Sequence, residues 1–232
     1  MSVEIAPGRV TPLRFPSDKQ RHAIIGATGS GKTQAALWHL SHRNFHQMPW
    51  IIYNFKQEES IDSIPFAKDL DLEEIPTLPG VYITRPIPEH DDDEVAAQMW
   101  AVWHKGGTGI YIDEGYMIGK KNKAFRALLT QGRSRTIPMI VLSQRPVWMD
   151  RFVFSESDFF QVFRLQHIDD RKAVGKFVPA DMEQRLPEYH SWYYDVGANR
   201  CVIMRPVPRI DVIHDTFERR LTEMERARQK VV

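Results

Sequence analysis

The chain has 232 residues, 42% hydrophobic and 26% charged, and its 31 Lys and Arg nearly cancel 30 Asp and Glu to leave a formal charge of +1. These proportions describe one globular domain with small appendages and exclude a disordered or uniformly basic polypeptide. No apolar run approaches the ~18 residues a membrane-crossing helix needs, the opening MSVEIAPGRVTPLRF lacks the apolar core of a secretion signal, and a single cysteine, Cys201, excludes an intrachain disulfide or a cysteine-based metal cluster. The expected setting is reducing and cytoplasmic.

In chain order, residues 1–20 read as an N-terminal extension. His22–Ile25 is a short apolar run that predicts a buried strand, followed by a glycine-rich loop and a helical pattern over Lys32–Arg43. His39, His42 and His46 recur on that pattern without a neighbouring carboxylate, which favours packing histidines over a metal site. Trp50–Tyr53 predicts a further strand ahead of an acidic stretch, Glu58–Glu94, whose prolines punctuate loops, and Val81–Thr84 predicts another within that stretch. Asp92–His104 predicts a helix whose acidic start suits the positive end of its dipole. Gly109–Ile112, Met139–Ser143, Phe160–Leu165 and Cys201–Met204 predict more strands, and Lys123–Leu129 another helix. Residues 120–176 are rich in Lys and Arg and form the expected face for a polyanion. Strands alternating with helices predict an α/β domain over residues 21–210 with a mostly parallel central sheet flanked by helices. Residues 211–232 predict a charged helix with Phe217, Leu221 and Met224 at helical spacing, either a docking arm or a solvated terminal helix.

The loop reads Gly26-Ala27-Thr28-Gly29-Ser30-Gly31-Lys32-Thr33, matching G-x-x-x-x-G-K-[ST] between a predicted strand and a predicted helix. Its glycines let backbone N–H groups turn inward onto phosphate oxygens, and the helix behind adds its N-terminal partial charge. Lys32 is expected at the β- and γ-phosphates and the Thr33 hydroxyl on Mg²⁺, so the cofactors are ATP and Mg²⁺. The strand Gly109–Ile112 ends in Asp113-Glu114: Asp113 is expected to hold Mg²⁺ through water, and Glu114 to act as general base for an attacking water.

A third element completes the order: Gln131-Gly132-Arg133-Ser134-Arg135, then the strand Met139–Ser143 and Gln144-Arg145-Pro146. Phosphate loop, Asp-Glu strand, Gly-Arg turn and Ser-Gln-Arg-Pro together resemble the HerA/FtsK superfamily of DNA-pumping ATPases, and in size the small genome-packaging ATPases of viruses and phages. The resemblance spans roughly residues 21–176 and implies an ASCE, RecA-like P-loop core. It further implies that Gln144 senses the γ-phosphate and that Arg133, with Arg135 as runner-up, is an arginine finger given to a neighbouring subunit. Where the family often has D-P-K-G-E, this chain reads Asn54-Phe55-Lys56-Gln57-Glu58, and no catalytic role is carried onto that segment.

As the resemblance implies, the chain is expected to form a homo-oligomeric ring, a pentamer or hexamer, that moves double-stranded DNA into a capsid. Its partners would be capsid portal or packaging-vertex proteins, and its location the host cytoplasm or the virion packaging vertex. The basic loop carrying Lys120, Lys121 and Lys123, with Arg126 behind it, is the candidate DNA contact. The alternatives are a phage-assembly ATPase of the zonula-occludens-toxin-like type, a nucleotide or metabolite kinase, and a nonenzymatic nucleotide-gated protein.

Overall fold

A computed structural model describes residues 12–229. Its central element is a nine-stranded sheet with the order β3-β4-β2-β5-β6-β1-β7-β8-β9. The strands are β1 (Arg21–Ile25), β2 (Pro49–Asn54), β3 (Lys68–Asp69), β4 (Gly80–Thr84), β5 (Gly109–Asp113), β6 (Met139–Ser143), β7 (Phe159–Val162), β8 (Ser191–Asp195) and β9 (Arg200–Met204). β1 to β7 pair in parallel, whereas β8 and β9 join antiparallel at one edge. The helices are α1 (Lys32–Ser41), α2 (Glu59–Asp62), α3 (Asp92–Lys105), α4 (Lys123–Gln131), α5 (Arg151–Ser155), α6 (Ile168–Gly175) and α7 (Ile210–Gln229).

The central strands are apolar throughout because both sheet faces are covered. Ile51, Tyr53, Ile110 and Ile112 point into one core with Met99 of α3, Phe125 of α4, Phe154 of α5 and Val174 of α6. Trp50, Ile52 and Tyr111 point into the other, with Leu37 of α1, Ile61 of α2 and Phe217 of α7. Helix starts follow their caps: the Asn122 side chain accepts from Phe125 N and that of Asp150 from Phe152 N, each closing a first turn.

Several elements differ from the sequence reading. The strand expected over Phe160–Leu165 runs Phe159–Val162, and the strand expected at Cys201–Met204 is one arm of an edge hairpin whose other arm, β8, was not anticipated. α7 starts at Ile210 and is neither a free arm nor a solvated helix. It packs along α1, burying Ile213, Phe217 and Leu221, with Phe217 stacked on Phe45 at 5.7 Å. The described part of the N-terminal stretch is also docked, since Arg14 makes a two-pronged pair with Asp195 at 2.7 Å. His39 is buried against Gln161 at 2.8 Å, and burial drives its pKa down to about 3, so it serves as a neutral packing group. No cluster of potential metal-ligating side chains occurs among the described residues, and no helix there is long and apolar enough to cross a membrane.

Candidate active site

β1, β2, β5 and β6 all end at the same edge of the sheet, where ligands of open parallel sheets bind. β1 runs directly into the loop Gly26–Gly31, and α1 starts at Lys32. The loop is pinned at its base by Gly26 N to Ser143 O at 3.1 Å and Ala27 N to Arg164 O at 3.0 Å. A Cβ on Gly26 would lie 2.5 Å from Ser30 Oγ and 2.7 Å from Phe163 Cβ, so no larger residue fits. Gly31 closes the loop at φ 93°, a backbone state open to glycine. Lys32 is 5% exposed, its ammonium held at the loop mouth rather than in solvent.

β6 lies between β1 and β5, so the carboxylates at the end of β5 stand one strand away from the phosphate loop. Asp113 is buried, and neither of its carboxylate oxygens has a hydrogen-bond partner. Burial, reinforced by the adjacent Glu114, pushes its pKa up to about 7. An unpartnered buried carboxylate at this point fits a divalent cation, directly or through its water shell.

Glu114 is fully buried and adopts a left-handed backbone, φ 64° and ψ 70°, as the chain leaves β5 for a 3-10 turn over Gly115–Met117. Its Oε2 accepts from Gln144 N at 2.9 Å. Its Oε1 faces two ammonium groups, Lys32 at 3.4 Å and Lys56 at 2.9 Å. Gln144, at the end of β6, also uses its side chain: Oε1 accepts from the Thr28 hydroxyl, and Nε2 donates to Tyr116 Oη at 3.2 Å. Phosphate loop, carboxylate and β6 terminus are therefore one bonded unit.

Lys56 is the site residue the sequence reading left without a role. Burial works against its charge, but Glu114 at contact distance and Asp113 behind it outweigh this and raise its pKa. The turn that delivers it is held by Asn54, whose Oδ1 accepts from Glu58 N at 2.9 Å and whose amide donates to Asp62 at 3.0 Å. Gln57 stands at φ 52°, where a glycine would be unstrained. The lysine of the family pattern is thus present and placed, although its flanking residues differ.

Arg133 and Arg135 lie elsewhere. Arg133, 58% exposed at its side chain, pairs with Asp158, which also accepts from Arg21 N at the start of β1. That is the end of β1 opposite the phosphate loop. Arg135 lies over the Trp103 ring at 3.7 Å and donates to Trp103 O at 3.1 Å. Lys120, Lys121 and Lys123 are exposed, whereas Arg126 is committed to Asp150 at 2.6 Å. The basic 120–176 region is partly neutralised in the same way, by the pairs Arg145–Asp170 and Arg171–Glu183.

Beside the loop, Tyr189 adopts φ 57° and approaches Gly31 so closely that a Cβ there would meet its ring at 3.2 Å. A cavity of about 330 Å³ lies on this side, lined by Gly31, Gln34, Tyr189, Val207 and Arg209 among others.

No family model matches the sequence. Over 216 residues, 89% of this chain and 95% of the relative, it is 51% identical to the DNA packaging ATPase P9 of Enterobacteria phage PRD1. The chain belongs to this family of phage DNA-packaging ATPases. Among solved structures, the genome packaging NTPase B204 of Sulfolobus turreted icosahedral virus 2, in complex with ATP-gammaS, matches with a TM-score of 0.65 at 19% identity, over 82% of this chain and 99% of that one. The cytoplasmic domain of the Thermomonospora curvata type VII secretion ATPase EccC matches with a TM-score of 0.61 at 11% identity, over 86% of this chain and 25% of that one. At such identities the likeness is one of fold, and it places the packaging-ATPase chain on the P-loop architecture that its motifs indicate.

Proposed function

We propose that this packaging ATPase hydrolyses MgATP and couples the hydrolysis to translocation of double-stranded DNA into a capsid. The observation that carries the reading is Glu114: a buried carboxylate facing Lys32 of the phosphate loop at 3.4 Å, with Gln144 bonded to both Glu114 and Thr28 of that loop. A phosphate loop alone suits many reactions, but a carboxylate fixed at its mouth suits activation of water.

The loop N–H groups and Lys32 bind the β- and γ-phosphates, and the cavity at Tyr189 receives the base. The Thr33 hydroxyl and Asp113, through water, would hold a bound Mg²⁺, which would supply positive charge to the phosphates. Glu114 takes a proton from a water whose oxygen attacks the γ-phosphorus in line, and ADP leaves with the other electron pair. As ATP phosphates draw Lys32 toward themselves, Glu114 is left with Lys56 and Gln144 N to orient it. Arg133 leaves Asp158 to enter the site of a neighbouring subunit in a ring of five or six, where its guanidinium matches the charge spread over the phosphoryl oxygens. The exposed Lys120, Lys121 and Lys123 follow DNA phosphates without reading sequence. Capsid portal or packaging-vertex proteins are the docking partners of this ring, in the host cytoplasm and at the vertex.

The test is steady-state phosphate release from MgATP with and without long double-stranded DNA, at low and moderate salt. Stimulation by DNA that fades as salt rises is the expected result. Turnover indifferent to DNA at every salt concentration, or requiring a small phosphate acceptor, refutes the translocase.

A further inference from the structure

A continuous series of contacts leads from the phosphate loop to the protein surface. Thr28 donates to Gln144 Oε1, and Gln144 Nε2 donates to Tyr116 Oη at 3.2 Å. Tyr116 lies in the 3-10 turn directly after Glu114, a turn fixed on β6 because a Cβ at Gly115 would come within 2.5 Å of Val141 Cγ1. The Tyr116 ring meets Trp148 edge to face, with centroids 5.7 Å apart and planes at 67°. Trp148 is 47% exposed, and the Arg145 guanidinium sits 4.2 Å from its ring centroid.

The 3-10 turn that carries Trp148, Pro146–Trp148, is tied in turn to the basic loop. Lys120 Nζ donates to Val147 O at 3.0 Å, and Arg126 donates to Lys120 O at 2.5 Å while pairing with Asp150 just beyond the turn. Core packing does not explain Trp148, since half its surface is in solvent. Its ring is positioned instead by a tyrosine whose hydroxyl is bonded to Gln144 and by the arginine that directly follows the same glutamine.

Both ends of the Gln144 amide are engaged, Oε1 by Thr28 and Nε2 by Tyr116. A γ-phosphate bound at this loop would compete for the Thr28 hydroxyl and for the Gln144 N–H groups, and a diphosphate, lacking that group, would compete less. The bond to Tyr116 is therefore strengthened or broken according to which nucleotide is bound, which is the differential interaction that any population shift requires. We propose that Tyr116 is a positioning residue that passes γ-phosphate occupancy from Gln144 to Trp148 and the Lys120–Lys123 loop, giving this surface distinct arrangements with triphosphate and with diphosphate. The proposal rests on the ATPase reading of the site and adds to it the path by which nucleotide state reaches the proposed DNA-facing loop.

The test uses the full chain, Tyr116→Phe, which removes only the hydroxyl, and Trp148→Phe as reporter control. Tryptophan emission of the wild type minus that of Trp148→Phe isolates the Trp148 signal, recorded with Mg²⁺ and either ATPγS or ADP, while calorimetry measures binding separately. The expected result is a Trp148 change with ATPγS and not with ADP, lost in Tyr116→Phe although that variant binds ATPγS with an affinity within about threefold of wild type. DNA-stimulated kcat in Tyr116→Phe falls about three- to tenfold, the equilibrium worth of one hydrogen bond, with KM for ATP little changed. A Trp148 change that is the same with both nucleotides, or that persists in Tyr116→Phe, overturns the proposal while leaving the ATPase reading intact. Absence of ATPγS binding in the wild type overturns both.

Discussion

Asp113→Asn isolates the energetic burden of the buried acid at the end of β5. In the folded chain this carboxyl is buried, has no hydrogen-bond partner on either oxygen and adjoins Glu114, and its pKa rises from 3.8 to about 7. Such a rise corresponds to about 4 kcal/mol against the ionised form. Between pH 4 and pH 7 the folded state therefore holds a proton that the unfolded chain has lost, so stability falls as pH rises through this window and levels off above it. Asp113→Asn removes the titration while keeping size and shape. Urea unfolding of metal-free, nucleotide-free protein at a series of pH values should give a wild type that loses up to about 4 kcal/mol across the window relative to the variant. Added Mg²⁺ at pH 8 should raise the midpoint of the wild type and leave the variant's unchanged. Parallel pH–stability curves for the two proteins would refute the assignment of a strained, uncompensated carboxyl to Asp113.

Other substitutions separate the roles around it. Glu114→Gln should keep ATP binding and lower turnover by at least about 10²-fold, because the water loses its base while the phosphate cradle remains; single-turnover quench experiments together with nucleotide binding decide this. Lys56→Met should lower kcat about tenfold with little change in KM, since it removes a charge that orients the base, not one that binds phosphate; normal kcat would make Lys56 a structural ion pair. Arg133→Ala should be inactive alone yet regain activity when mixed with Lys32→Ala, as mixed interfaces pair one intact phosphate site with one intact finger. Absence of rescue, with a monomeric and fully active Arg133→Ala protein, would remove the finger.

The parts of the site that were legible are those carried by local sequence. Gly26–Thr33 is contiguous, and its backbone demands fall on its own glycines. Asp113 and Glu114 could be placed because an apolar run names its own strand and the next residues must emerge at its end. Lys56 was passed over because Asn54 and Gln57 broke the expected pattern, yet the lysine itself matched, and only the convergence of β2 and β5 at one sheet edge reveals its partner. β8 was missed because its residues, Ser191-Trp192-Tyr193-Tyr194-Asp195, carry polar ends and pair with a strand recognised separately. Asn199 at φ 47° and Gly197 between them were the available turn signal. The spacing of Phe217, Leu221 and Met224 was visible, but the surface they cover belongs to α1 and Phe45, far away in sequence. Arg133 and Arg135 could not be told apart by pattern. The contacts distinguish them: Arg135 is sandwiched onto Trp103, while Arg133 is exposed and held by one carboxylate.

The backbone at Glu114 has a consequence for how this enzyme tolerates change. A glutamate at φ 64° occupies a conformation that glycine or asparagine adopts far more readily, at a penalty of about 1–3 kcal/mol. With Glu114 as the proposed base, folding and turnover would make opposing demands on one codon. Selecting variants for heat resistance alone would enrich replacements at position 114 that are sturdier and inert, and survival at high temperature would be a misleading guide to a working motor.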